Sequence, residues 1–108
     1  MRILTTIAVL ALILAPRIAC AVELGDPHQG LTYAKEVCAE CHAVDVGDEL
    51  SPNPDAPIFE DVANTPGMNA RALVVWLQSP HPTMPNLMIP AEDTDNVVAY
   101  ITSLRAKN

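Results

Sequence analysis

Cys38-Ala39-Glu40-Cys41-His42 is the stretch on which the reading of this chain turns. The 108 residues hold only three cysteines and three histidines, yet two cysteines and one histidine fall within these five positions. Given one cysteine, a shuffle of this composition would place another three residues on, with histidine directly after it, roughly once in a thousand times or less. Four chemistries use such a spacing. A redox dithiol usually accompanies a βαβ pattern, and no strand-like runs occur here. A zinc site takes four ligands, but His28 and His81 are not grouped with further cysteines. A structural disulfide is the third.

The fourth chemistry is covalent haem attachment, for which C-x-x-C-H is the signature. Haem carries two vinyl groups on adjacent pyrroles, and a thiol can add to each to form a thioether. Cysteines with two residues between them lie about one helical turn apart, so Cys38 and Cys41 can reach the same macrocycle edge. His42 then turns under the iron and supplies an imidazole nitrogen as proximal ligand. One covalent haem c, with its iron, is the expected cofactor.

Toward the N-terminus, Ile3 to Ala15 is apolar apart from Thr5 and Thr6. Arg2 precedes this run, and Ala19-Cys20-Ala21 follows Pro16 and Arg17. A basic start, a short apolar run and a small-x-small ending describe a secretory signal peptide over residues 1–21, cleaved after Ala21. Two readings compete. Cys20 could carry a lipid, although Arg17 stands where a leucine is usual. The segment could stay as an anchor, although its 13 residues are short against the roughly 20 that span a bilayer. Export and haem attachment support each other, because attachment of this kind follows export; the periplasm is the expected location.

Cleavage leaves one domain, residues 22–108, with four basic residues (Lys35, Arg71, Arg105, Lys107) against 13 acidic ones, a net charge of −9. Such a balance excludes general affinity for nucleic acid or anionic membranes, both of which reward clustered Lys and Arg. With one Trp, one Phe and two Tyr, so short a domain has few large side chains for its core. Small domains of this kind need a staple, a metal or a cofactor.

Three helices and a loop-rich middle are expected. Asp26-Pro27 reads as an N-cap with proline at the first helical position. Leu31, Ala34, Val37, Cys38 and Cys41 then share one face to about Cys41. Residues 46–57 carry Gly47, Pro52, Pro54 and Pro57, which break regular structure. A second helix runs from near Asn69 to before Pro80, with Leu73, Trp76 and Leu77 on its apolar face. Prolines 82, 85 and 90 force an extended path over 81–90. The last helix spans Ala91 to Lys107, with Glu92 and Asp93 in its first turn and Arg105 and Lys107 in its last.

From residue 26 to 105 the chain resembles the small class I bacterial cytochromes c. Gly30 lies eight residues before Cys38, where that family has a small residue at the crossing of its first and last helices. The stretch 96–101, Asn-Val-Val-Ala-Tyr-Ile, is similar to the terminal helix that packs there. Trp76 to Pro80, followed by Thr83-Met84-Pro85, resembles the helix-then-methionine segment that closes the haem pocket. Ala56-Pro57-Ile58-Phe59 resembles the segment supporting the proximal histidine. Ala34 departs from the pattern, since many relatives carry an aromatic one turn before the first cysteine; Tyr33 is the candidate substitute. The resemblance implies an all-α cytochrome c fold wrapped around one haem.

For the sixth iron ligand the candidates are Met68, Met84, Met88, His28 and His81. Methionines commonly fill core gaps. Met84 stands apart because it sits in Pro82-Thr83-Met84-Pro85, where the chain cannot become regular, and because it falls where the resemblance places the ligand. Met88 and His81 are its runners-up. A neutral thioether favours Fe(II) more than a second imidazole does and raises the potential. A ligating histidine usually donates its other N–H to a carbonyl; Pro57 is preferred, Pro54 second. Trp76 is expected to pack on the haem with its N–H toward a propionate, and Tyr100 and Phe59 to pack only. Asp45, Asp48, Glu49, Asp55, Glu60 and Asp61 form either a solvated loop or a docking patch.

With both axial positions filled, and no Ser-His-Asp set or phosphate loop in the sequence, a non-enzymatic, monomeric one-electron carrier is expected. It would shuttle between a dehydrogenase or respiratory complex and an oxidase or other acceptor, with redox protein partners that offer basic surfaces. The alternatives are an electron-transfer subunit of a periplasmic oxidoreductase, or a sensor whose methionine yields to a ligand.

Overall fold

Asp26 starts the first helix by accepting hydrogen bonds from the amides of His28 (2.8 Å) and Gln29 (3.4 Å), with Pro27 in the first helical position. The computed structural model describes residues 25–82 and 84–107. The signal segment expected over 1–21, its cleavage site and Cys20 therefore lie outside the described residues. Helix α1 spans Pro27–Tyr33 and passes directly into a π-helical turn, Ala34–Cys38. The Ala39 amide donates to the Ala34 carbonyl, five residues back, at 2.9 Å. The regular helix thus stops three residues before Cys41, the end expected from sequence. Beyond it the Cys38 carbonyl accepts from both Cys41 (3.1 Å) and His42 (2.9 Å), which closes the five-residue motif into one tight turn. Single π turns are frequent at functional sites.

Helix α2, Phe59–Asn64, is absent from the sequence expectation. Six residues between Pro57 and Pro66 are too few to show periodicity. The available signal was Glu60 and Asp61, which occupy its first turn at the positive end of the peptide dipoles. Helix α3, Ala70–Gln78, begins where expected, and the Asn69 side chain accepts from the Ala72 amide at 3.0 Å. Helix α4 spans Ala91–Ser103. It ends four residues short of Lys107, so Arg105 and Lys107 lie past its last turn rather than in it. Arg105 instead donates from Nε to the Ala63 carbonyl (3.3 Å) and from Nη2 to the Met68 carbonyl. Its charge therefore complements the C-terminal end of α2, not of its own helix.

Four α-helices, and no strand among the described residues, make the fold all-α. Helices α1 and α4 cross at Gly30, where an added Cβ would meet the Asn96 carbonyl oxygen at 2.0 Å. Buried Asn96 also accepts the Asp26 amide on Oδ1 at 2.7 Å, tying the start of α1 to α4. From α4, Val97, Val98, Tyr100 and Ile101 enter a core completed by Ala34, Cys38, Val44, Phe59, Ala63 and Leu73. Each aliphatic side chain so buried contributes about 1.5–3 kcal/mol. Of the four aromatic residues in the chain only Phe59 and Tyr100 are buried. The core they complete leaves one side open.

Candidate functional site

That open side is a cleft of about 400 Å³ to which the π-helical turn, helices α2, α3 and α4, and the segment 81–87 contribute. It brings together the six residues preferred from the sequence for holding a haem: Cys38, Cys41, His42, Pro57, Trp76 and Met84. His81 and Met68 also line it. Met88 does not; it is 93% exposed and borders a separate depression with Leu87 and Ile89. His28 is exposed on α1, away from the cleft.

His42 is held from several directions. Its Nδ1 lies 2.7 Å from the carbonyl oxygen of Pro57, not of Pro54. A carbonyl can only accept, so Nδ1 carries a proton, and in the neutral ring Nε2 keeps its lone pair. The backbone around it is pinned as well. The Cys41 carbonyl accepts from the Asn53 amide (3.1 Å), and the Ala43 amide donates to Ser51 Oγ (3.0 Å). The Ala43 carbonyl accepts from the Phe59 amide at 3.0 Å. The Phe59 ring packs on His42 with centroids 5.4 Å apart, tilted by 52°. Ser51 was not singled out in the sequence, where a serine in a proline-rich loop carries no signal of its own.

Tyr100 adds a polar contact to its expected packing. Its buried hydroxyl donates to the Val44 carbonyl, two residues beyond His42. Burial first, then the charges of Asp45, Glu60 and Asp48, raise the hydroxyl above the usual tyrosine range and keep it a donor. Tyr100→Phe strands that carbonyl and should cost about 1–3 kcal/mol. Thermal unfolding should show it as a Tm drop of about 4–8 °C per kcal/mol; an unchanged Tm would remove this anchor from the site.

Cys38 is buried and Cys41 partly so, and both are free thiols. Burial pushes the Cys38 thiol up to about 11. A redox dithiol needs the opposite shift, toward a stable thiolate, so the environment of Cys38 disfavours that chemistry. Among the described residues no three His, Cys, Asp or Glu side chains gather into a group that could hold a metal ion by itself.

On the segment after α3, His81 Nδ1 lies 3.0 Å from the Ser79 carbonyl and His81 Nε2 lies 3.0 Å from Met84 Sδ. Trp76, half-exposed rather than core, sets its ring edge-on to His81, 5.1 Å between centroids and 80° between planes. Of the loop acids only Asp55 and Asp61 border the cleft, joined there by Glu40. Asp45 instead pairs with Lys35 at 3.2 Å, an exposed pair worth at most about 1 kcal/mol. No helix among the described residues is long and apolar enough to cross a membrane. Comparison with protein-family models, curated proteins and solved structures gives no match.

Proposed function

We propose that this cleft holds one covalently attached haem c, with His42 and Met84 as axial ligands, on a cytochrome c-like fold. The protein then works as an exported, periplasmic one-electron carrier and not as an enzyme. The observation that supports this most is the convergence of Cys38, Cys41, His42 and Met84 on one largely apolar cleft, with His42 Nδ1 committed to the Pro57 carbonyl. That commitment leaves Nε2 free, in the form in which an imidazole binds a metal. The cleft is also what the composition calls for, a space that the few aromatic side chains do not fill.

Bound there, the haem supplies an Fe(III)/Fe(II) couple whose potential is set by its axial ligands. The chain's own residues do the rest. Each thiol, at Cys38 and Cys41, adds its sulfur and hydrogen across one vinyl group, and nothing leaves. Phe59, Leu73 and Ile101 present an apolar lining that limits water. Side chains on both axial faces would leave no coordination position for a substrate or gas, which favours a carrier over a sensor. Glu40, Asp55 and Asp61 at the cleft would favour basic partner surfaces.

The test is to produce the chain with a haem-attachment system and to examine the purified protein. The expected results are haem that survives denaturation on the polypeptide, low-spin spectra in both oxidation states, and no rapid carbon monoxide binding to the reduced form. Absence of covalent haem, or a high-spin iron open to carbon monoxide, would overturn the carrier reading.

A further inference from the structure

His81 repeats the hydrogen-bonding signature of His42. In each ring Nδ1 meets a backbone carbonyl, Pro57 at 2.7 Å for His42 and Ser79 at 3.0 Å for His81. In each case the carbonyl can only accept, which places a proton on Nδ1, so that in the neutral ring the lone pair is on Nε2. This is the arrangement in which histidines usually bind metals.

At His81 that lone pair is directed at Met84. Nε2 and Sδ are 3.0 Å apart, both residues are partly buried, and both line the cleft that holds His42. The contact sets an imidazole nitrogen and a thioether sulfur, each a potential iron ligand, side by side at the cleft. Trp76, edge-on to the His81 ring, backs the imidazole. The segment is short: the His81 carbonyl accepts from the Met84 amide at 3.2 Å, so the two side chains leave a single turn.

We propose that His81 is a second distal ligand, which exchanges with Met84 as the oxidation state changes. Two donors this close compete for one axial position. Which one occupies it follows from ligand softness: imidazole suits Fe(III), and a thioether suits Fe(II). On reduction one electron from the redox partner enters the iron, the Fe–Nε2 bond to His81 breaks and the Fe–Sδ bond to Met84 forms. Oxidation reverses both changes. No proton moves, because His81 Nδ1–H stays on the Ser79 carbonyl throughout. The exchange makes the chain a carrier whose potential differs between its loading and unloading directions. It rests on the haem assignment and deepens it.

The experiment uses the intact haem-loaded protein, with His81→Ala and Met84→Ala as variants. Covalent haem is scored first; if it is missing, both the carrier reading and the exchange are overturned. In the wild type the ferric form should be low-spin, without a sulfur-to-iron charge-transfer band. The ferrous form should show a methionine methyl proton signal shifted far upfield by the macrocycle. Voltammetry should give cathodic and anodic peaks whose separation grows with scan rate. In His81→Ala the charge-transfer band should appear in the ferric form and the peak separation should collapse. In Met84→Ala both states should be low-spin, and the upfield methyl should be lost. A wild-type ferric protein that already shows the charge-transfer band, with a reversible couple unchanged in His81→Ala, would overturn the exchange and leave the carrier reading standing. The wild-type spectra decide the matter even if a variant folds poorly.

Discussion

Replacing Cys38 and Cys41 together by alanine should abolish covalent haem and leave the chain largely unfolded. The size of the effect follows from the cleft. A cavity left unfilled costs on the order of 24 cal/mol per Å³. For about 400 Å³ that gives an upper bound of roughly 10 kcal/mol, reduced to the extent that water enters. A domain of this length has a total stability of only about 4–13 kcal/mol, at roughly 0.05–0.15 kcal/mol per residue. Even a fraction of that bound is a large share of the total, so the haem-free chain should sit much closer to the folding threshold than the loaded one. Either single substitution should lower the yield of covalent haem sharply. Far-UV circular dichroism with a urea titration is the measurement. A haem-free double variant with full helicity and a steep, cooperative transition would show that the cleft is not a missing part of the core.

The sequence made the site more legible than the fold, for a physical reason. Cys38, Cys41 and His42 are adjacent, and their chemistry depends on spacing that can be read directly along the chain. Asp26-Pro27 and Asn69 were legible because a helix N-terminus is a local event, one side chain bonded to amides two or three residues on. Helix α2 was not legible. It is held by Arg105 and by the Ala106 amide on Asn64 Oδ1 at 2.9 Å, partners 42 residues away. The end of α4 failed for the same reason: Arg105 fits the last turn of an isolated helix, but tertiary bonds to Ala63 and Met68 draw it elsewhere. Ser51 and Tyr100 support His42 through single hydrogen bonds across loops, which leave no periodic trace. Trp76 stood on an apolar helix face by spacing, and the shape of the cleft, which no local pattern encodes, left it half-exposed.

Gly30→Ala should be strongly destabilising although it keeps both thiols. The new Cβ would stand 2.0 Å from the Asn96 carbonyl oxygen, 2.6 Å from its carbon and 2.8 Å from Tyr100 Cβ. Two of these are helix backbone and cannot rotate aside, so α4 would have to retreat by about 1 Å to reach the 3.0 Å that real contacts respect. Overpacking of this kind costs about 1–3 kcal/mol. Two hydrogen bonds ride on the same helix, from the Asp26 amide to Asn96 Oδ1 and from the Tyr100 hydroxyl to the Val44 carbonyl, each worth about 0.5–1.5 kcal/mol. Together these terms reach roughly 2–6 kcal/mol, a fall in Tm of at least about 8 °C at 4–8 °C per kcal/mol. Gly30→Val should not fold. Gly47→Ala is the control: its φ of +85° strains any side chain, but nothing lies within 4 Å. Its cost should stay at the roughly 1–2 kcal/mol of a left-handed residue. Because Tyr100 connects α4 to the backbone beside His42, Gly30→Ala should also shift the reduction potential of the haem-loaded protein, while Gly47→Ala should not. Equal Tm losses in the two variants, with unchanged potentials in both, would mean that the crossing of α1 and α4 neither limits stability nor positions His42.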